Sequence, residues 1–203
     1  MEAGNSSYKI ILGSSSVARR NILSEMGHQF TIMTADIDEK SIRKETPEDL
    51  VLALAEAKAE AILQKLPVGD YLKHAEPTLL ITCDQVVVYE GVIREKPSSK
   101  QEARQFLKDY SGRKAATVGS VLVTNLKTGL RKGESDRVEI YFNEMPDEII
   151  EKLVDEGITL NVAGGLIIEH PLIFPYVREV VGTTDSVMGL PKDLTEKLLK
   201  EVL

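Results

Sequence analysis

The stretch from Thr78 to Val88 reads Thr-Leu-Leu-Ile-Thr-Cys-Asp-Gln-Val-Val-Val and is the most strand-like part of the chain. A run so rich in apolar and β-branched residues fits a strand packed inside a sheet. One residue breaks the pattern. Asp84 places an acid within an otherwise continuous apolar run, and local inconsistencies of this kind tend to mark function. A carboxylate held there needs a cation, a metal or a donated hydrogen bond. The plain alternative is a strand end at which Asp84 caps a turn.

The remaining elements follow from apolar periodicity and punctuation. Ile10-Ile11-Leu12 before Gly13 predicts a buried first strand, and a helix follows from about Ser16 to Met26 with Gly27 past its end. Gln29 to Thr34 reads as a strand. Thr46 as N-cap and Pro47 at the first helical position open a helix running to about Leu66. Glu90-Gly91 predicts a hairpin turn, and Ser99 with Glu102 forms a capping box for a helix ending near Ser111-Gly112. Strands near Ala116–Leu126 and Leu130–Phe142 flank Lys127-Thr128-Gly129. Pro146 opens a helix that ends at Gly157, and Pro191 opens the last, with Leu194, Leu198 and Leu199 on one face. Hairpins interrupting helical crossovers predict an α/β fold with a mixed β-sheet and flanking helices. No repeat or Pro/Gly-rich linker divides the 203 residues, so 1–203 reads as a single domain.

Charge and cysteine usage narrow the functional classes. The net charge of −7 argues against a nucleic-acid polymer as partner, since such affinity comes from Lys and Arg neutralising phosphates. A small polyanion arriving with a divalent cation remains compatible, because a local cluster can oppose the global sign. His28, His74 and His170 show no paired ligand spacing, which argues against a structural zinc site. Cys83 is the only cysteine, so a reducing, cytosolic setting is expected. No segment approaches the ~20 apolar residues of a membrane span, and Met1 to Lys9 is short and polar for a targeting peptide.

Three places carry chemistry. Gly13-Ser14-Ser15-Ser16 joins a buried strand to a helix start and offers backbone N–H groups, hydroxyls and a positive dipole end. Arg19 and Arg20 fall in the first turn, where cations are unfavourable unless an anion binds there. The loop is not a Walker A sequence, for it lacks the Gly-Lys-Ser/Thr ending. On a helical wheel starting at Leu50, Lys58 falls at about 80°, between Leu54 at about 40° and Val51 at about 100°. A lysine inside an apolar arc either snorkels or meets an anion. Asp84-Gln85 is the third place, with Lys96 just beyond the hairpin. Weaker candidates are the acidic loop Asp36, Asp38 and Glu39, the Ala163-Gly164-Gly165 turn, and a triad of Asp185, Ser186 and His170. The triad lacks a Gly-x-Ser-x-Gly elbow. Cys83 reads as core rather than nucleophile.

In order along the chain, these pieces resemble the Maf family of nucleoside triphosphate pyrophosphatases. The likeness is carried by Ser14, Ser16 and Arg19 (Ser-x-Ser-x-x-Arg), Asp38-Glu39, Ala57-Lys58-Ala59, Asp84, Lys96-Pro97, Ser111-Gly112, Ala163-Gly164, and Val187-Met188-Gly189-Leu190-Pro191. The resemblance implies a mixed sheet in two lobes around a cleft, related to the inosine triphosphatase fold. It implies a hydrolase that cleaves a nucleoside triphosphate to monophosphate and pyrophosphate with Mg²⁺ or Mn²⁺, and a homodimer. Ser14, Ser16, Arg19 and Lys96 would hold the phosphates, and Lys58 would offset developing charge. Glu39 and Asp84 would hold the metal, with Asp84 as general base. Ala18, Gln85 and Glu169 occupy the positions that sort base specificity. Gln85 and Glu169 resemble the 7-methyl-GTP type and imply a guanine or 7-methylguanine preference, whereas Ala18 departs from the tryptophan of that type. The alternatives are a dTTP/UTP-type enzyme and a regulatory protein that binds nucleotides without turnover.

Overall fold

The computed structural model describes residues 7–34 and 36–203. In chain order the elements are β1 (Lys9–Leu12), α1 (Val17–Glu25), β2 (Thr31–Ile32), α2 (Pro47–Leu63), α3 (Val68–Tyr71), β3 (Thr78–Tyr89), β4 (Val92–Arg94), α4 (Lys100–Tyr110), β5 (Lys114–Asn125), β6 (Arg131–Phe142), α5 (Asp147–Glu156), β7 (Val177–Val181), α6 (Thr184–Met188) and α7 (Lys192–Glu201). The strands form one sheet in the order β2-β1-β3-β5-β6-β7, with β4 paired to β3. β1 runs parallel to both β2 and β3, whereas β3–β4 and β6–β7 are antiparallel. The sheet is mixed, as the alternation of hairpins and helical crossovers predicts. Among the described residues no helix is long and apolar enough to cross a membrane.

The chain divides into two compact units. The first comprises the chain up to Asp84, Ser120–Ser135 and Gly189–Leu203; the second comprises Gln85–Gly119 and Asp136–Met188. In the first, Ile11, Ala55, Ala59, Ile62, Leu80, Leu122 and Leu126 make a buried cluster. Full burial of a side chain such as Ile62 contributes about 2 kcal/mol. The register of α2 is set by hydrogen bonds as well as by this packing. Thr82 Oγ1 donates to the Ala55 carbonyl at 2.8 Å, and Ser120 Oγ donates to the Val51 carbonyl at 2.7 Å. Val51 and Ala55 lie one turn apart, so both hydroxyls hold the helix face that also carries Lys58.

In the second unit, Tyr110, Phe142, Leu107, Ile140, Ile150 and Leu153 lie in the core, with the Tyr110 and Phe142 rings stacked at 6.0 Å. The β3–β4 hairpin turns through Glu90 (φ 48°) and Gly91 (φ 78°), the left-handed pair that a tight two-residue hairpin requires. α5 ends on Gly157, left-handed at φ 78°.

The structure departs from expectation at a few boundaries. β2 is limited to two residues, both exposed, so little burial sustains a longer strand. α2 stops at Leu63, and its continuation to Leu66 is a turn. At α4 Ser99 Oγ accepts from the Glu102 N–H at 3.1 Å. The returning carboxylate, however, takes the N–H of Ser98 at 3.2 Å rather than that of Ser99. β7 has no counterpart in the sequence reading. It is mostly exposed and shows no buried alternation, so periodicity could not reveal it.

Candidate active site

The site in the first unit begins where β1 gives way to α1. The Gly13 N–H donates to the Ile81 carbonyl at 2.7 Å, which holds the backbone against β3. A Cβ on Gly13 would lie 2.8 Å from Thr82 Cγ2 and 3.1 Å from the Ile81 carbonyl, so only glycine allows this approach. Ser16 is the N-cap of α1, its side chain accepting from the Arg19 N–H at 3.3 Å. Ser14 is buried, and its Oγ accepts from the Ser16 N–H at 3.2 Å and from Arg19 Nη1 at 3.4 Å. Arg19 Nε donates to the Gly189 carbonyl at 2.9 Å. Gly189 has φ 114°, and a Cβ there would sit 3.0 Å from Arg19 Nε. Arg19 is thereby folded back over the serine loop. Arg20 instead donates to the exposed Ser15 carbonyl at 2.6 Å.

The other half of the site is built on α2 and β3. The Lys58 ammonium lies 2.6 Å from Asp84 Oδ1 and 3.3 Å from Glu39 Oε1, and donates to the Cys83 carbonyl at 3.3 Å. Asp84 is itself fixed by its backbone, whose N–H donates to Ser120 Oγ at 3.2 Å. The hydroxyl of Ser120 thus ties α2 to β3 at the residue that Lys58 contacts. Side-chain exposure falls from 46% at Glu39 to 18% at Lys58 and 10% at Asp84, so the carboxylate that breaks the apolar run is the most desolvated member. Burial pushes the Asp84 carboxyl above the usual carboxylate range. Lys58 and Arg19 pull it down without cancelling that effect, and Glu39 adds to the rise. Burial also raises the Cys83 thiol, against the pull of Arg19 and Lys58. A neutral, buried thiol is a core residue, not a nucleophile.

The profile of the Maf-like protein family matches residues 9–202. The chain belongs to the Maf-like family. It is 38% identical to the 7-methyl-GTP pyrophosphatase of Dictyostelium discoideum over 95% of this chain and 96% of that protein. It is 31% identical to the dTTP/UTP pyrophosphatase of Syntrophus aciditrophicus, over 96% of this chain and 90% of that protein. A nucleoside-triphosphatase / dITP/XTP pyrophosphatase structure from Mycobacterium abscessus overlaps 68% of this chain and 76% of its own, at 15% identity and a TM-score of 0.34. An overlap that slight carries no argument about fold, and the mixed α/β architecture rests on the strand pairings.

The other motif residues of this Maf-like chain belong to the second unit. Lys96 is exposed between β4 and α4, beside the buried Pro97. The side-chain amide nitrogen of Gln85 donates to the carbonyls of Ser186 and Val187, both at 3.0 Å. Both its hydrogens are therefore committed, and Gln85 can meet a base only as an acceptor. Glu169 is exposed, while Ala18, back in the first unit, is half-buried on α1. The residues of the weak triad do not assemble. Ser186 Oγ donates to Asp136 Oδ2 at 2.5 Å, and His170 Nε2 pairs with Glu156 at 2.8 Å. In the acidic loop, Glu39 opens a short 3-10 turn over Glu39–Ser41 and alone contacts Lys58, while Asp38 uses its carbonyl to accept from Ser41 Oγ at 2.7 Å.

Two participants escaped the sequence reading, Ser120 and the Gly189 carbonyl. Ser120 looks like any small polar residue in a strand. Gly189 stands in a motif, yet nothing local shows that its carbonyl receives a guanidinium from 170 positions away.

Among the described residues no group of three or more His, Cys, Asp or Glu is disposed to hold a metal ion. The pair Glu39 and Asp84 does fit the manner in which Mg²⁺ is bound, through one or two carboxylates plus waters and substrate phosphates rather than a protein cage.

Proposed function

We propose that this Maf-like chain is a nucleoside triphosphate pyrophosphatase, hydrolysing its substrate to a nucleoside monophosphate and pyrophosphate. The observation that carries the reading is the Lys58 ammonium, 2.6 Å from the buried Asp84 and 3.3 Å from Glu39. In the same unit lies the α1 start, with its serine hydroxyls and Arg19. Homology supports it, since relatives aligned over nearly the whole chain carry pyrophosphatase names.

In this mechanism Ser14, Ser16 and Arg19 hold the phosphates at the helix start, where dipole and N–H groups favour anions. Lys96 keeps the phosphate-binding role that the family resemblance implies for it. Glu39 and Asp84 would hold Mg²⁺ or Mn²⁺, which supplies charge neutralisation on the phosphate oxygens. Asp84, its basicity raised by burial, takes the proton of the attacking water. The water oxygen bonds to the α-phosphorus, the bond from that phosphorus to the bridging oxygen breaks, and pyrophosphate leaves with the bond's electrons. Lys58 then offsets negative charge that grows on the α-phosphoryl group.

The reading extends to a guanine or 7-methylguanine base through Gln85 and Glu169, to one domain over 1–203, and to a homodimer in the cytosol. It is tested by incubating the protein with canonical and 7-methylated triphosphates, with Mg²⁺ or Mn²⁺, and identifying the released anion. Pyrophosphate in stoichiometry with monophosphate is expected. Orthophosphate alone, or tight nucleotide binding without any product, would remove it in favour of another hydrolase or a regulatory binding protein.

A further inference from the structure

The second unit contains an ion pair that the proposed chemistry does not use. Arg94 ends β4, and its side chain is only 13% exposed. Its Nη2 donates to Asp109 Oδ2 at 2.5 Å. Its guanidinium carbon lies 4.3 Å from the centroid of the Phe106 ring, 4.5 Å from that of Tyr89 and 5.4 Å from that of Tyr110. These distances are within cation–π range. Asp109 is held in turn by Gln105, whose side-chain amide donates to Oδ1 at 2.9 Å.

The neighbours of this arginine grip one glycine from both sides. The carbonyl of Glu95, the next residue along the chain, accepts from the Gly164 N–H at 2.9 Å. The hydroxyl of Tyr110, one of the three rings, donates to the Gly164 carbonyl at 2.8 Å. Gly164 is left-handed at φ 61°, and a Cβ there would meet Val87 Cβ at 2.5 Å. Arg94, Glu95, Gly164 and Tyr110 therefore close a ring of contacts around the loop that carries Lys96. On the far side of Lys96, Pro97 is buried, and the Cβ position of Gly165 is 3.4 Å from Pro97 Cγ. Lys96 thus combines an exposed side chain with neighbours that are held, Glu95 through its carbonyl and Pro97 by burial. Glu169 follows on the same segment as Gly164.

We infer that Arg94 is a positioning residue. Boxed by three rings and tied to Asp109, its guanidinium locks the Lys96 loop onto the Gly164 turn, so that Lys96 meets the substrate phosphates from a pre-ordered backbone. This rests on the assignment of Lys96 to the triphosphate. Pre-ordering matters because a lysine on a loose loop loses more conformational freedom on binding, and that cost weakens affinity. A guanidinium suits the task better than an apolar side chain, since ring faces and a carboxylate fix its orientation as well as its volume.

The test uses Arg94→Met, which keeps a long apolar stem, and Asp109→Asn as a second variant should the first fold poorly. Two readouts are taken on the full chain. Hydrogen exchange at the Gly164 amide should accelerate by about tenfold or more in either variant, while core amides such as Leu153 hold their wild-type rates. In pyrophosphate-release assays KM for a nucleoside triphosphate should rise by about tenfold with little change in kcat, and Arg94→Lys should recover only part of it. The double variant Arg94→Met/Lys96→Ala should be no worse than Lys96→Ala alone, the non-additivity expected when one residue acts through another. Additive losses, or wild-type KM with fast Gly164 exchange, overturn the positioning role and leave the phosphate role of Lys96 intact. If Lys96→Ala itself has wild-type KM, the assignment of Lys96 falls, and this inference falls with it.

Discussion

Lys58 in the first unit is 18% exposed and shares its ammonium among two carboxylates and a carbonyl, whereas Arg94 in the second is 13% exposed and commits its guanidinium to one carboxylate and three ring faces. Similar burial therefore goes with different chemistry. Around Lys58 the partners are ionic, and two carboxylates near one cation leave negative charge in excess, which a metal ion or proton can complement. Around Arg94 the rings are neutral and the single carboxylate balances the charge, although its Nη1 is buried without a hydrogen-bond partner. The first arrangement is open to rearrangement by a further charged group. The second has its charge balanced within the unit and suits holding a backbone in place.

If that contrast is correct, the two units respond differently to removal of charge. The largest effect is expected at Asp84. Asp84→Asn keeps the size of the side chain and loses its capacity to take a proton, so kcat should fall by about a thousandfold. Circular dichroism and thermal unfolding should stay close to wild type. Turnover near wild type in a folded variant would eliminate the general-base role and weaken the contrast between Lys58 and Arg94. Lys58→Met comes next, with a fall in kcat/KM of about a hundredfold through lost stabilisation of developing charge. Its apolar stem replaces that of lysine along α2, so stability should change little. A large loss of stability with intact activity would make Lys58 a structural lysine of the same kind as Arg94.

Both units could be read in the sequence to different depths. Elements with strong local signals are found within a residue or two: β3 from its β-branched run, the start of α2 from Thr46 and Pro47, and α5 from Pro146 and Gly157. Lys58 and Asp84 were legible because each violates the pattern of its own element, and a violated pattern is a local fact. Their partnership spans 26 positions, and that the two violations answer one another is visible only in three dimensions. Ser120, the Gly189 carbonyl and the Arg94 box left no trace, since a serine in a strand, a carbonyl and an arginine after a hairpin are ordinary at the local level. β7 was missed for the complementary reason. An exposed strand has no need of an apolar face, so it lacks the alternation that sequence reading depends on.

A smaller effect probes the second unit without reference to catalysis. Burial pushes the Tyr110 hydroxyl up to about 12, against the pull of Arg94. The unfolded chain ionises this group near its ordinary value of 10.0, so between these two values only the unfolded state gives up the proton. The stability that neutral Tyr110 confers is complete below the lower value and lost as pH rises toward the upper one, by about 3 kcal/mol in all. Tyr110→Phe should cost about 1 kcal/mol at neutral pH through its lost bond to Gly164, yet it should show a shallower alkaline decline. Urea unfolding midpoints from pH 8 to 11.5 separate the outcomes, and parallel curves for the two proteins would mean that Tyr110 is not the buried anchor of the Arg94 box.

The smallest effect concerns the base. Glu169 is exposed, so its field is screened by water, and an exposed carboxylate contributes on the order of 1 kcal/mol or less. As an acceptor it can take hydrogen bonds from the N1–H and amino group of a guanine edge, a pair that uracil does not present. Gln85, with both amide hydrogens already given to Ser186 and Val187, can add only an acceptor. Glu169→Gln keeps the shape and removes the charge, and should lower the ratio of kcat/KM for guanine-type over pyrimidine triphosphates by about fivefold. The absolute rate on UTP should barely move, because the phosphate chemistry is proposed to rest on Lys58 and Asp84. A uniform loss on all bases would place Glu169 with the phosphates instead. A pyrimidine preference in the unaltered protein would show that an acceptor pair is too weak to choose the base.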